Sequence, residues 1–216
     1  MLIDLSHPIE DGMAVYPGLP QPEVRPYRTH AESRASYAPG TEFEFTALTL
    51  VGNVGTYLDS PYHRYHDKDD ISRLPLERLV DLPAVVVDAE PRAGSIELGD
   101  QLAGACGAAV LVRTGWDERW GTEQYWQPGP HLSAATAQAL VDAGAVLVGV
   151  DFWNVDGTSG GERPVHSTLL GHGVLIVEHM CRLDALPRSG ATVTVAPLAV
   201  VGAASVPVRA WARLPS

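Results

Sequence analysis

The clearest pattern in the chain is a set of short, continuous runs of apolar and β-branched residues in its second half. Runs of this length are typical of strands that are covered on both faces. Five runs have this character: AVVVDA (84–89), AAVLVRT (108–114), AVLVGVD (145–151), GVLIVE (173–178) and ATVTVAPLAVVG (191–202). Together they predict a largely buried β-sheet.

Two segments have the character of helices. The segment LSAATAQALVDAG (132–144) is rich in alanine, with Ser133 as a candidate N-cap and Gly144 as a stop signal. The segment PLERLVDL (75–82) predicts a second, shorter helix. The combination of strands and helices predicts the α/β class: a single compact domain with a mixed, largely buried β-sheet and flanking helices.

The first half of the chain is patterned differently. Residues 17–42 are rich in proline, glycine and polar residues, which predicts a long irregular excursion. Loops of this length inside a compact domain are usually functional or meet a partner subunit. The segment EFEFTALTLVG (42–52) then alternates between apolar and polar residues, which predicts a strand.

Length and charge narrow the classes of function. The 216 residues, 45% of them hydrophobic, predict one domain spanning 1–216. A formal net charge of −11 argues against nucleic acid and anionic membranes as partners. No apolar run in the sequence is long enough to span a bilayer. The start of the sequence also lacks the basic residues of a signal peptide, so a cytoplasmic protein is expected. A glycine-rich phosphate loop is also lacking, so no nucleotide cofactor is expected.

Polar side chains stand beside several of the predicted strands. Asp151 and Glu178 each end an apolar run, whereas Asn53 and Asp59 follow the alternating segment. Catalytic groups of α/β folds gather at strand ends and in the loops that leave them, so a common pocket is expected. Asp151 and Arg113 are instead expected to support the fold through an ion pair or backbone hydrogen bonds.

Six blocks of sequence, in order over nearly the whole chain, resemble the cyclase superfamily, which includes bacterial kynurenine formamidases and isatin hydrolases. The blocks are DLSHPIEDGMAVYPG (4–18), VGTYLDSPYH (54–63), LVRTGWDERWGTEQYW (111–126), LVGVDFWNVDG (147–157), PVHSTLLGHGVLIVE (164–178) and PLAVVGAASVPVRA (197–210). The resemblance implies a swivelling β/β/α-like domain, a small-molecule substrate and a homodimer or higher homo-oligomer. It also implies a pocket that holds one or two divalent metals.

The chain departs from the family motif at two positions. The motif reads His-x-Gly-Thr-His-x-Asp-x-Pro-x-His, and its first two histidines fall on Asn53 and Tyr57. An asparagine amide oxygen is a weak ligand for zinc, and a phenol with a pKa of about 10 is a rare one unless it is ionised. The first metal position of the family is therefore expected to be lost.

The other family ligands are retained. The resemblance places the metal-contacting aspartate at Asp59 and the late His and Glu ligands at His166 and Glu178. These three residues suffice for a single open zinc or manganese site. The alternative is a metal-free remnant in which a charged His166 lies between the two carboxylates. Both alternatives, no cofactor or one divalent metal, stay open on the sequence.

The proton-transferring histidine of the family falls on His63, and histidine is the residue type that most often performs acid/base catalysis near neutral pH. Tyr57 and Asn53 are candidates to donate hydrogen bonds to a carbonyl or enolate oxygen of the substrate. Tyr16 falls where relatives often place an aromatic residue that packs on an aromatic substrate. A core or interface aromatic is about equally compatible with that position.

Three hypotheses about function follow from these residues. The main one is a ring-forming acid/base enzyme of secondary metabolism, because the hydrolytic metal position is altered while His63 is kept. It would act on a polyketide-like or other carbonyl-rich molecule by an aldol, dehydration or addition step. The alternative is a metal-dependent hydrolase of a formamide, cyclic amide or lactone. The third is a non-catalytic binding protein that keeps the pocket.

Overall fold

Strands dominate the computed structural model, which describes residues 1–90 and 94–215. The strands are β1 (Leu2–Asp4), β2 (Glu23–Arg28), β3 (Phe45–Thr49), β4 (Tyr57–Asp59), β5 (Leu82–Asp88), β6 (Gly94–Ile96), β7 (Ala109–Arg113), β8 (Pro130–Leu132), β9 (Leu147–Val150), β10 (Leu175–Glu178), β11 (Thr192–Pro197) and β12 (Ser205–Arg213). The α-helices are α1 (His30–Arg34), α2 (Ala134–Asp142) and α3 (Pro164–Gly171). Within the described ranges, no helix is long and apolar enough to cross a membrane.

Eight of the strands form one sheet that closes on itself. Their order is β1-β12-β11-β5-β7-β9-β10-β4, and β4 also pairs with β12. Strands β5, β7, β9 and β10 run parallel to one another, whereas β4, β11 and β12 pair antiparallel with their neighbours. The predicted α/β class with a mixed sheet is therefore confirmed.

The central strands are covered on both faces, as their apolar runs predict. Leu111 of β7 joins a core to which all eight strands of the large sheet contribute. Its neighbours Val110 and Val112 point the other way and pack with Leu140 of α2 and Leu169 of α3. The five runs correspond to β5, β7, β9, β10 and β11, although β11 ends at Pro197.

Only one of the two predicted helices forms as an α-helix. Helix α2 is confirmed, and the hydroxyl of Ser133 accepts a hydrogen bond from the Thr136 amide at 2.9 Å. The prediction for 75–82 was wrong, since this segment contains a short 3-10 turn at Leu76–Arg78 before the chain enters β5. Asp81 has a positive φ of 51°, and Pro83 disfavours helical backbone at Leu82, so the turn does not extend as a helix toward residue 82.

The segment 17–42 contains regular structure, so the prediction of an irregular excursion was wrong in part. It includes β2 and α1, and β2 pairs with β3 in a separate two-stranded sheet, called here the β2–β3 hairpin. The strand predicted in 42–52 is confirmed as β3. The sequence hides β2 because most of its residues are exposed and show no apolar alternation.

Arg113 and Asp151 support the fold as predicted. Arg113 forms an ion pair with Asp88 at 2.6 Å, which joins the ends of β7 and β5. The carboxylate of Asp151 accepts hydrogen bonds from the amides of Thr114 and Gly115, both at 2.7 Å, and from the Thr114 hydroxyl. These bonds join the end of β9 to the turn after β7.

Candidate active site

The site is built around β4, which lies between β10 and β12. Successive side chains of a strand point to opposite faces, so Tyr57 and Asp59 share one face while Leu58 enters the core. In the strand register Tyr57 lies opposite Glu178 of β10, and Asp59 lies opposite Ser205 of β12. Pairing of three strands therefore brings four polar side chains together.

Two histidines join these residues from outside the sheet. His63 ends a 3-10 turn at Pro61–His63, directly after β4, and its Nδ1 lies 3.7 Å from Oδ1 of Asp59. His166 lies in the first turn of α3, and its Nε2 lies 3.6 Å from Oδ2 of Asp59. The two imidazole rings are 5.6 Å apart.

Four of these side chains, those of Tyr57, His63, His166 and Glu178, line one cavity of about 270 Å³. Its lining residues are Tyr16, Leu19, Asn53, Tyr57, His63, Arg64, Asn154, Arg163, His166 and Glu178. Six of the seven predicted site residues are in this set, and the seventh, Asp59, lies beside His63 and His166. The expectation of a common pocket thus agrees with the geometry, and the roles within the pocket stay predictions.

Asp156, which the sequence did not point to, orients His166. Its carboxylate accepts hydrogen bonds from the amides of Val165 and His166 and lies 2.6 Å from Nδ1 of the ring. An ionised carboxylate can only accept, so Nδ1 carries a proton and Nε2 is the atom that faces the pocket. A carboxylate behind a histidine in this way commonly fixes the tautomer of a metal ligand.

Glu178 is held on both of its oxygens. Oε1 accepts a hydrogen bond from the Val155 amide at 2.7 Å, and Oε2 accepts a short one from the hydroxyl of Tyr57. Burial raises the pKa of Tyr57 well above 10, so the phenol keeps its proton. In this arrangement the proton is directed at Glu178. The predicted role of Tyr57 as a donor to substrate would require this bond to break.

Ser205, also unforeseen, connects Asp59 and His63. Its hydroxyl donates a short hydrogen bond to Oδ1 of Asp59 and lies 3.1 Å from Nδ1 of His63. A hydroxyl has one proton, and Ser205 uses it to donate to Asp59. The Ser205 oxygen therefore accepts a hydrogen bond from a protonated Nδ1 of His63. Nε2 of a neutral His63 is then unprotonated and able to accept a proton.

Carboxylates outnumber imidazoles among the buried residues of the site. The carboxylates of Asp59, Asp156 and Glu178 are buried, and among them lies one buried imidazole, that of His166. Burial and the nearby Asp59 raise the pKa of Glu178 to about 7. Burial also acts to raise the pKa of Asp59, but His166 and His63 together have the larger effect and lower it. Burial is outweighed at His166 too, since the three carboxylates raise its pKa to about 10.

The side chains of Asp59, His166 and Glu178 fit one divalent cation. Oδ2 of Asp59 is buried without a hydrogen-bond partner in the described residues, and it faces Nε2 of His166. The distances from that nitrogen, 3.6 Å to Asp59 and 3.7 Å to Oε1 of Glu178, exceed hydrogen-bond length. Asp59, His63 and His166 also offer ligand atoms within 4.8 Å of one another. Imidazole and carboxylate donors suit zinc or manganese.

The fold and the site define a class of protein: an α/β domain with a closed mixed β-sheet and a histidine–carboxylate site beside a short strand. The family model described as "Putative cyclase" matches residues 3–157. The chain therefore belongs to the cyclase family, as its sequence blocks predict.

Relatives in this family are enzymes. The kynurenine formamidase of Salinibacter ruber is 31% identical, over 98% of this chain and 97% of its own. The isatin hydrolase of Roseibium aggregatum is 29% identical, over 82% of this chain and 77% of its own. The solved isatin hydrolase A of Labrenzia aggregata, bound to benzyl benzoate, is 20% identical with a TM-score of 0.86, and the match covers 100% of this chain and 94% of that one. The prediction of an enzyme is confirmed.

Proposed function

We propose that the chain is a metal-dependent hydrolase that cleaves the amide C–N bond of an aryl formamide or a cyclic amide. The observation that carries the proposal is the unpartnered, buried Oδ2 of Asp59 beside His166 and Glu178. The names of the relatives favour this hydrolytic alternative over the ring-forming hypothesis.

Asp59, His166 and Glu178 would hold the cation, and Asp156 and Tyr57 would orient two of these ligands. A bound divalent cation supplies Lewis-acid polarisation of a carbonyl and activation of water. A bound cation would displace the proton from Nε2 of His166, and the three ligands would then carry two negative charges, which one divalent cation neutralises.

His63 would move the proton. Its Nδ1–H is directed at Ser205, so Nε2 can take a proton from the attacking water and pass it to the leaving nitrogen. The side chain is 34% exposed at the pocket and can therefore approach a bound substrate. Asn53, which lines the same pocket, can donate its side-chain amide to the carbonyl oxygen.

Hydrolysis of N-formylkynurenine and of isatin by protein loaded with zinc or manganese tests the proposal. We expect turnover of at least one of them, and a loss of about 10²- to 10⁴-fold in His63→Asn, which keeps the polarity of the site but not the acid/base group. Near-normal turnover in His63→Asn would contradict the assigned role. Failure to hydrolyse either compound, together with cyclisation of a carbonyl-rich substrate, would restore the ring-forming hypothesis.

We also propose that the chain forms a homodimer through the β2–β3 hairpin, as the resemblance implies a homo-oligomer. Apolar side chains on this hairpin are exposed, including Tyr27 at 77% and Leu48 at 64%. Leu48→Glu should shift the mass measured by light scattering from dimer to monomer. Leu76→Glu, a matched change at another exposed leucine, should leave the dimer intact. A monomeric wild type would contradict the proposal.

A further inference from the structure

Two arginines border the candidate active site without an acidic partner. Arg64 and Arg163 both line the cavity, and neither lies within ion-pair distance of a carboxylate anywhere in residues 1–90 and 94–215. Acidic residues outnumber basic ones by 26 to 15 in this chain. Other described arginines also lack an ion pair, but Arg64 and Arg163 differ from them in lining the cavity of the candidate active site. Two unpaired guanidinium groups at one pocket are therefore available to a ligand.

Hydrogen bonds hold both arginines in place through one serine. Nε of Arg64 donates to the hydroxyl of Ser167 at 2.9 Å, and that hydroxyl donates to the carbonyl of Arg163 at 2.7 Å. Nη1 of Arg163 donates to the carbonyls of Gly160 and Glu162 at 2.8 and 2.7 Å. The terminal nitrogens of Arg64 and Nη2 of Arg163 have no partner in the part of the chain that the structure describes.

The arginines are close to the reacting groups in sequence and in space. Arg64 follows His63, and Arg163 precedes the helix that carries His166. The same cavity also offers the side chains of Tyr16 and Leu19, which suit a flat apolar body. The lining thus combines an apolar part, a proton-transfer group and a pair of fixed positive charges.

We propose that Arg64 and Arg163 form an anion-recognition subsite and that the substrate is an aryl amide bearing a carboxylate. A guanidinium presents its N–H groups in a plane that matches the two oxygens of a carboxylate, and such charge-assisted hydrogen bonds are among the stronger ones in proteins. This inference rests on the proposed hydrolytic function. It adds a requirement for negative charge on a part of the substrate that does not react.

A matched pair of substrates tests the subsite: N-formylkynurenine and its carboxamide, which differ in the carboxylate alone. Wild-type protein loaded with zinc should favour the acid by about 10-fold or more in kcat/KM. The Arg64→Gln/Arg163→Gln double variant should lose that preference, mainly through KM for the acid, so that the ratio of the two kcat/KM values falls close to 1. Arg188→Gln, which removes a surface charge paired with Asp88, should keep the preference.

The outcomes separate this inference from the proposed function. Equal use of acid and carboxamide by the wild type, or equal losses for both in the double variant, would overturn the subsite but leave the hydrolase. If the wild type hydrolyses neither compound, the proposed function fails, and binding of the two compounds measured by calorimetry decides about the subsite. Arg64→Lys, which retains the charge and disturbs no loop carbonyl, should retain part of the preference even if Arg163 variants fold poorly.

Discussion

At the scale of single residues, hydrogen bonds decide which atom of each site histidine carries a proton. Asp156 places the proton of His166 on Nδ1, and Ser205 does the same for His63. In the proposed mechanism, His166 would present Nε2 to a cation and His63 would present Nε2 to a proton. Both supporting residues lie in blocks that resemble the family, but they are 10 and 142 positions from their histidines, and the sequence does not show that folding brings each pair together.

Replacing Ser205 by alanine tests this positioning. The change removes the acceptor for Nδ1–H of His63 and a donor to Asp59. We expect kcat to fall by about 10- to 100-fold with a displaced pH profile, and the free energy of unfolding to fall by about 1–3 kcal/mol. Ser72→Ala, which removes a hydroxyl bonded to Asp70, should lower stability only. A Ser205→Ala enzyme with the wild-type kcat and pH profile would contradict the role.

At the scale of elements, what could be predicted depended on burial and length. The strands β5, β7, β9 and β10 are buried on both faces and left continuous apolar runs. Strand β4 has three residues, too few to show a period, and was noticed only through its motif. The side chains that β4 gathers from β10 and β12 follow from strand pairing, which the sequence does not show.

The loop before β4 lies close to β12, and this contact gives a prediction at the scale of elements. A Cβ atom at Gly52 would overlap the carbonyl oxygen of Ser205. Gly52→Ala should therefore push the loop that carries Asn53 away from β12, lowering the free energy of unfolding by about 1–3 kcal/mol and reducing activity. Gly161, where a Cβ would meet open space, supplies the control. Thermal unfolding that is equal in Gly52→Ala and Gly161→Ala would contradict the prediction.

The junction between β7 and β9 gives a pH-dependent prediction. Burial raises the pKa of Asp151 from 3.8 to about 6, although three hydrogen bonds oppose the shift. The folded state therefore binds this proton more tightly than the unfolded state, and the resulting stability is present below pH 4 and is lost as the pH rises through 6. Relative to Asp151→Asn, the wild type should lose up to about 3 kcal/mol of unfolding free energy between pH 4 and pH 7. Parallel urea-unfolding profiles of the two proteins across this range would contradict it.

At the scale of the whole molecule, family membership could be predicted from the sequence, but the balance between functions could not. The substitutions at Asn53 and Tyr57 favoured a ring-forming enzyme because they remove two expected ligands. In the folded chain Tyr57 donates a hydrogen bond to Glu178, which we propose as a ligand, and the buried Oδ2 of Asp59 has no partner in the described residues. Only the folded chain brings these groups together.

Elemental analysis of the purified protein tests the central claim most directly, before and after dialysis against a chelator and reloading with zinc or manganese. We expect one tightly held metal ion per chain, with affinity reduced by about 10- to 100-fold in Asp156→Asn, which disturbs the orientation of His166. Asp142→Asn on α2 should behave as the wild type. Absence of metal under both conditions, with Asp156→Asn indistinguishable from the wild type, would contradict the account and leave the carboxylates and His166 as a metal-free pocket.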